Sequence, residues 1–126
     1  MEFEKEKHKK IISSFKYGFE GILVAFKTER NINIHIIIMF IVIVMGILLK
    51  ITRAEWIACI ILFAMVISGE LFNTAIENIV DIIVPHKNEK AKIIKDISAG
   101  GVLVLAIGAA IIGLIIFIPK ICYMLQ

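Results

Sequence analysis

Residues 57–84 read IACIILFAMVISGELFNTAIENIVDIIV and are followed by Pro85. The first half of this stretch is continuously apolar, whereas the second half places Glu70, Asn73, Glu77 and Asp81 among apolar neighbours. As an α-helix the stretch would be about 42 Å long, which exceeds the ~30 Å thickness of a bilayer core. We therefore predict a transmembrane helix that tilts or protrudes from the membrane.

Two further apolar runs flank this one, at residues 32–49 and at residues 97–118, where the second run ends before Pro119. Hydrophobic residues make up 60% of the 126 positions, well above the roughly 45–50% of soluble domains. Each run is close to the ~20 residues that cross a bilayer as a helix. The sequence predicts an all-α integral membrane protein with three transmembrane helices in a single domain, residues 1–126.

Residues 5–28 predict an additional helix of a different kind. Ile11, Phe15, Phe19, Ile22 and Phe26 recur at helical spacing, and lysines occupy the opposite face. An apolar stripe opposite lysines is typical of a helix that lies in the membrane interface. We expect an amphipathic surface helix, although a helix packed on soluble protein has the same pattern.

The basic residues predict the orientation in a cytoplasmic membrane. Lysine and arginine are concentrated in the N-terminal segment and in the loop after Pro85, so both should be cytoplasmic and the C-terminus outside. The net charge of +3 is too small to indicate nucleic acid as a partner, and neither Cys59 nor Cys122 predicts a disulfide. The charged first ten residues do not resemble a cleavable signal peptide.

A polar stripe on the second span is the main functional signal. At about 100° per residue, Glu70, Asn73, Glu77 and Asp81 lie within about 80° of one another. A charge at the bilayer centre costs at least ~2.5–3.5 kcal/mol, so these carboxylates indicate a function. Neutralisation by Lys or Arg from a neighbour is the structural alternative, but the spans offer no basic residue at comparable depth.

The depth of each carboxylate suggests its chemistry. Measured from Ile57 at the outer boundary, Glu70 lies ~20 Å deep and Glu77 ~30 Å deep. Glu70 could act as general base on a lipid hydroxyl, and Glu77 could bind hydrated Mg²⁺ with its phosphates. Glu29, Lys95 and Asp96 lie at the same cytoplasmic level. This arrangement predicts phosphoryl transfer at the membrane interface.

Other motifs add little chemistry. There is no G-x-x-x-x-G-K-[ST] loop and no G-x-G-x-x-G pattern, so a conventional kinase fold is excluded. His8, His35 and His86 are too scattered to indicate zinc, and we interpret His8 and His35 as structural. The small residues Ala99, Ala106, Ala109 and Gly113 share one face of the third span and favour self-association.

The stretch from Glu70 to Asp81, followed by Lys95-Asp96, resembles the signature of the small prokaryotic diacylglycerol kinase family. Residues 28–31 and 112–120 resemble its undecaprenol kinase branch more closely. The resemblance implies a homotrimer with active sites shared between protomers, Mg²⁺ and ATP as phosphoryl donor. It also implies Glu70 as base and Glu29 and Glu77 as metal ligands.

The resemblance predicts two sets of contacts. Those to the nucleotide and its metal are Lys10, Tyr17, Glu29, Asn73, Glu77, His86, Lys87, Asn88, Lys95 and Asp96. Those to the lipid are Arg30, Asn31, Trp56, Glu70, Ser98 and Ala99. Lys10 stands where the diacylglycerol kinase branch has Arg, and the loop Pro85-His86-Lys87 departs from that branch.

The leading hypothesis is a kinase of undecaprenol, with diacylglycerol as the alternative acceptor. A small proton-coupled transporter subunit would use Glu70 but would give no task to Glu29, Glu77 or Lys95. A structural membrane adaptor would leave the polar stripe unexplained.

Overall fold

The computed structural model describes residues 1–126 and consists of four α-helices. They are α1 (Glu2–Thr28), α2 (Arg30–Leu48), α3 (Arg53–Ile83) and α4 (Glu89–Met124). The last three are long and apolar enough to cross a membrane. This confirms the predicted all-α class with three apolar helices, and each predicted span falls on one helix to within a residue at its end.

A single residue, Glu29, joins α1 to α2. Its backbone is extended, with φ −107° and ψ 115°, and its N–H still donates to the carbonyl of Ala25 at 2.8 Å. The Nδ2 group of Asn33 donates to the carbonyls of Phe26 and Glu29 at 3.0 and 3.2 Å. One side-chain amide therefore satisfies carbonyls on both sides of the joint.

The turn between α2 and α3 is tightly specified. Lys50 has φ 52°, and the N–H groups of Lys50 and Ile51 donate to the carbonyls of Ile47 and Gly46. This is a Schellman ending in which Lys takes the place of the usual glycine. Thr52 and Glu55 then form a capping box at the start of α3. The two helices consequently form a short-looped hairpin.

α4 is longer at both ends than the predicted third span. The Oδ1 atom of Asn88 accepts from the N–H of Ala91 at 3.0 Å, so the helix begins at Glu89, within the stretch expected to be a loop. It continues through Pro119 to Met124. Proline has no backbone N–H to donate within the helix, but the residues on both sides of Pro119 retain helical geometry.

α3 is the central helix of the chain, and it packs against α4, α2 and the end of α1. A small core of Ile51, Cys59, Ile116 and Phe117 lies where α3 begins and α4 ends. Only 13 of 126 residues are buried, and large apolar side chains such as Phe72 remain exposed. A surface this apolar requires covering by lipid or by other protein.

Candidate functional site

The carboxylate of Glu70 is buried in the interior of α3, with 4% of the residue exposed. Its Oε1 atom lies 3.0 Å from Nε2 of His35 on α2. No other side-chain hydrogen bond or ion pair joins α2 to α3. The most costly charge on the polar stripe therefore has a partner in an adjacent helix.

This contact corrects one statement made from the sequence. A basic side chain, that of His35, does lie at the depth of Glu70, where none was expected. The apolar parts of α2 and α3 contain no lysine or arginine, but His35 lies about 8 Å into α2 from its first residue. A histidine within one apolar span and a glutamate within the next was the signal that could have identified the pair.

Asn73 and Glu77 form the next layer of the stripe. Asn73 is buried and its Nδ2 group donates to Oε1 of Glu77 at 3.2 Å. The Oδ1 atom of Asn73 is buried without any hydrogen-bond partner. An unpaired amide oxygen costs free energy unless a donor or a cation reaches it. Asn73 and Glu77 thus present an acceptor and a carboxylate together.

The third layer joins α3 to α4 through charges. Nζ of Lys95 donates to Oδ1 of Asp81 at 2.8 Å, and Lys92 pairs with Asp96 on the same helix. An open cleft of about 570 Å³ lies beside these pairs. Its lining includes five of the predicted nucleotide contacts, namely His86, Lys87, Asn88, Lys95 and Asp96. The structure brings this part of the predicted site together.

Three other predicted residues lie at the α1–α2 joint. The side chain of Glu29 is half-buried, whereas Arg30 and Asn31 are exposed at the first turn of α2. The side chain of Glu29 makes no hydrogen bond or ion pair within the chain. Its carboxylate is therefore available for a further contact at the α1–α2 joint.

Lys10 and Tyr17 are not brought to the cleft within one chain. Residues 1–12 and 14–21 of α1 are all exposed, and Tyr17 has 66% of its surface accessible. α1 is held at its C-terminal end, where Ala25 is buried. Neither Lys10 nor Tyr17 lines the cleft.

The predicted lipid contacts are spread over a long distance. Trp56 lies about 21 Å from Glu70 along α3 and packs against the small core at the other end of the helix. Ser98 is half-buried and Ala99 is exposed on α4, one turn beyond Lys95. The structure does not bring Trp56 to the carboxylates.

An apolar cavity of about 250 Å³ lies between α2, α3 and α4, on the side of Glu70 that faces the start of α3. Thirteen of its fifteen lining residues are hydrophobic, and His35 is its one basic residue. Ala106, Ala109 and Gly113 also line it, so three of the small residues on α4 face space within the chain. No Cα atom of α2 lies within 8 Å of one in α4, and the cavity lies between the two helices.

The polarity of the site increases along α3. The apolar cavity lies beside His35 and Glu70, Asn73 and Glu77 lie further along the helix, and the charged cleft lies beyond them. No group of three or more His, Cys, Asp or Glu side chains is close enough to hold a metal ion. The arrangement can present a carboxylate to a hydroxyl at its apolar end and charged groups to phosphates at its polar end.

Comparison with known proteins identifies the class of this site. The family model of prokaryotic diacylglycerol kinase matches residues 16–117. An undecaprenol kinase of Bacillus subtilis (strain 168) is 39% identical over 88% of this chain and 90% of that protein. A diacylglycerol kinase of Synechocystis sp. is 37% identical over 86% of this chain and 63% of that protein.

The chain belongs to the prokaryotic diacylglycerol kinase family, and it is a membrane lipid kinase. This confirms the resemblance seen in the sequence. Membership also implies a phosphoryl donor such as ATP. A proton-coupled transporter subunit and a structural adaptor are both disfavoured, since neither accounts for the matched family.

Proposed function

We propose that the protein transfers the γ-phosphate of ATP to the hydroxyl of undecaprenol at the cytoplasmic face of the cell membrane. The observation that supports this most directly is the burial of Glu70 between an apolar cavity and a charged cleft. The apolar cavity suits the chain of a lipid alcohol, and the charged cleft suits a nucleotide. The carboxylate of Glu70 lies between them, where the lipid hydroxyl would meet the γ-phosphate.

In this proposal Glu70 is the general base. Its free oxygen accepts the proton of the lipid hydroxyl while the lipid oxygen forms a bond to the γ-phosphorus. The bond from that phosphorus to the bridging oxygen breaks, and ADP departs. Base catalysis requires hydrogen-bond reach to the proton, which a side chain buried at lipid depth can provide.

We assign Glu77 and Glu29 to Mg²⁺. One or two carboxylates suffice, because Mg²⁺ in phosphoryl-transfer sites keeps several waters and takes phosphate oxygens as further ligands. The unpaired Oδ1 atom of Asn73 beside Glu77 fits this assignment, since it is a buried acceptor without a donor. When bound, Mg²⁺ would neutralise charge on the phosphates.

We assign the charged cleft to the nucleotide, with Lys95, Asp96 and the loop from His86 to Asn88 as its walls. Asn88 also caps α4, so its side-chain oxygen is already engaged. Lys10 and Tyr17 would complete the nucleotide site from another protomer. Their exposure on a helix that packs only at one end supports a homotrimer with shared sites.

The apolar cavity supports undecaprenol as acceptor. A volume of about 250 Å³ is less than twice the ~150 Å³ of a cavity that binds benzene, so it suits a section of one chain. Diacylglycerol has two acyl chains, which would have to share this cavity or leave one chain outside it. Diacylglycerol remains the alternative acceptor, and Ser98, Ala99, Arg30 and Asn31 would contact the head of either lipid.

The proposed topology follows from the same charges. The N-terminus and residues 86–92 are assigned to the cytoplasm and the C-terminus to the outside, because basic residues concentrate beside the first two. α1 is assigned to the membrane surface as an amphipathic helix. Its exposed Ile11, Ile12, Phe15 and Phe19 would then be covered by lipid.

The deciding experiment measures phosphate transfer from labelled ATP by the purified protein in mixed micelles. Undecaprenol, a short polyprenol and diacylglycerol are offered singly and in competition. The expected result is preferential phosphorylation of the polyprenols. Equal use of diacylglycerol would contradict the argument from the cavity, and transfer to none of these lipids would contradict the proposed function.

A further inference from the structure

His35 occupies a position that the proposed reaction has not yet used. Its ring lies between the apolar cavity and the carboxylate of Glu70, with 21% of the side chain exposed, compared with 5% for that of Glu70. Nε2 and Oε1 are 3.0 Å apart. A polar ring at the wall of an apolar cavity, in contact with a buried carboxylate, requires a physical reason.

We propose that His35 is a positioning residue that fixes the carboxylate of Glu70 for attack by the lipid hydroxyl. This inference rests on the proposed role of Glu70 as base. An ionised carboxylate can only accept hydrogen bonds, so Nε2 must carry the proton that is donated to Oε1. The other oxygen, Oε2, is then left free to receive the proton of the acceptor.

The surroundings make His35 the one group suited to this task. No other hydrogen bond or ion pair reaches the carboxylate of Glu70. Where α4 packs near Glu70, the side chains of Leu105 and Val102 approach Gly69, and both are apolar. The remaining charged groups of the packed helices near this end lie towards the cytoplasm: Lys27, Glu29, Arg30, Glu77, Asp81, Lys95 and Asp96.

The donated hydrogen bond has two consequences for the reaction. It supplies a donor to a buried carboxylate that has no other hydrogen-bond partner. It also fixes the side-chain torsions of Glu70, which keeps Oε2 directed for the transfer. During the reaction Nε2 retains its hydrogen, and the proton of the lipid hydroxyl moves to Oε2.

The test replaces the ring by side chains that differ only in the donor. His35→Gln keeps an N–H group near the position of Nε2, whereas His35→Met has similar bulk and no donor. We expect kcat of His35→Met to fall by about 10- to 100-fold, the range for losing one hydrogen bond to a charged group. His35→Gln should retain most of kcat, and KM for ATP should change little in either. His8→Gln, on the exposed half of α1, is the matched control.

The outcomes separate the inference from the proposed function. Wild-type activity in His35→Met, or equal loss in both variants with the fold intact, would overturn the role as donor. Absence of lipid phosphorylation by the unmodified protein would instead overturn the function itself. If His35→Met does not fold, His35→Asn replaces it, because its shorter amide cannot reach the position of Nε2. Activity of His35→Asn equal to that of His35→Gln would then contradict the inference.

Discussion

Replacing Glu70 by glutamine tests the proposed base without removing its contacts. Glutamine has the same shape, and its amide oxygen can still accept from Nε2 of His35 at the observed 3.0 Å. The site is buried, so an isosteric side chain leaves no cavity. The amide cannot accept a proton from the lipid hydroxyl. The substitution therefore separates position from proton transfer.

The size of the expected effect distinguishes the two roles. General-base assistance contributes about 10²–10⁴ in rate, which corresponds to about 2.7–5.4 kcal/mol in the barrier. Weakening a single hydrogen bond by neutralising its acceptor changes stability by only about 0.5–1.5 kcal/mol. We therefore expect turnover to collapse while the folded protein and its affinity for ATP remain.

The assay is single-turnover transfer from labelled ATP to undecaprenol, with nucleotide binding measured separately. Glu55→Gln is the matched control, since Glu55 lies at the opposite end of the same helix beside Lys120. A loss of only a few-fold would refute the base and leave Glu70 as an orienting group. Joint loss of turnover and of ATP binding would place Glu70 in the metal site, and Asp96 would be the next candidate base.

Three further predictions follow from other parts of the structure. Glu77→Gln and Glu29→Gln should each raise the Mg²⁺ concentration needed for half-maximal activity, and an unchanged Mg²⁺ titration would exclude that residue as a ligand. Single cysteines at Asn88 and Gln126 in a cysteine-free background should react with an impermeant reagent from opposite sides of the membrane, and labelling from one side would refute the topology. Gly46→Ala should destabilise the protein by about 1–3 kcal/mol, because a Cβ atom there would lie 2.7 Å from a Trp56 ring carbon. Thermal inactivation measures this loss, and unchanged stability would show that the ring can shift.

The helices could be predicted from the sequence because each apolar run is long, and every apolar residue in it supports the same prediction. Each apolar run contains enough residues to decide its class by length alone. Their ends were less predictable, because a helix end depends on single residues. Asn88 begins α4 inside an expected loop, and Pro119 fails to end it, since one lost hydrogen bond is small beside a helix of 36 residues.

The polar stripe was likewise predictable, since all of its members lie on one helix and obey one period. The partner of Glu70 was not, because His35 belongs to another helix and their contact depends on how α2 packs on α3. The surroundings of Lys10 and Tyr17 could not be predicted for a similar reason. Their helix packs on the rest of the chain only near Ala25, so spacing along the sequence says nothing about what they meet.

The one-residue joint at Glu29 links the direction of α1 to the position of the proposed metal ligand. The amide of Asn33 binds carbonyls on both sides of this joint, so the direction of α1 is set within a few ångströms of the proposed metal ligand. The helix α1, which is some 40 Å long, is thus attached at Glu29, whose carboxylate is the proposed metal ligand. Because the joint holds α1 and Glu29 in one fixed relation, the surface that receives α1 also determines where this carboxylate lies.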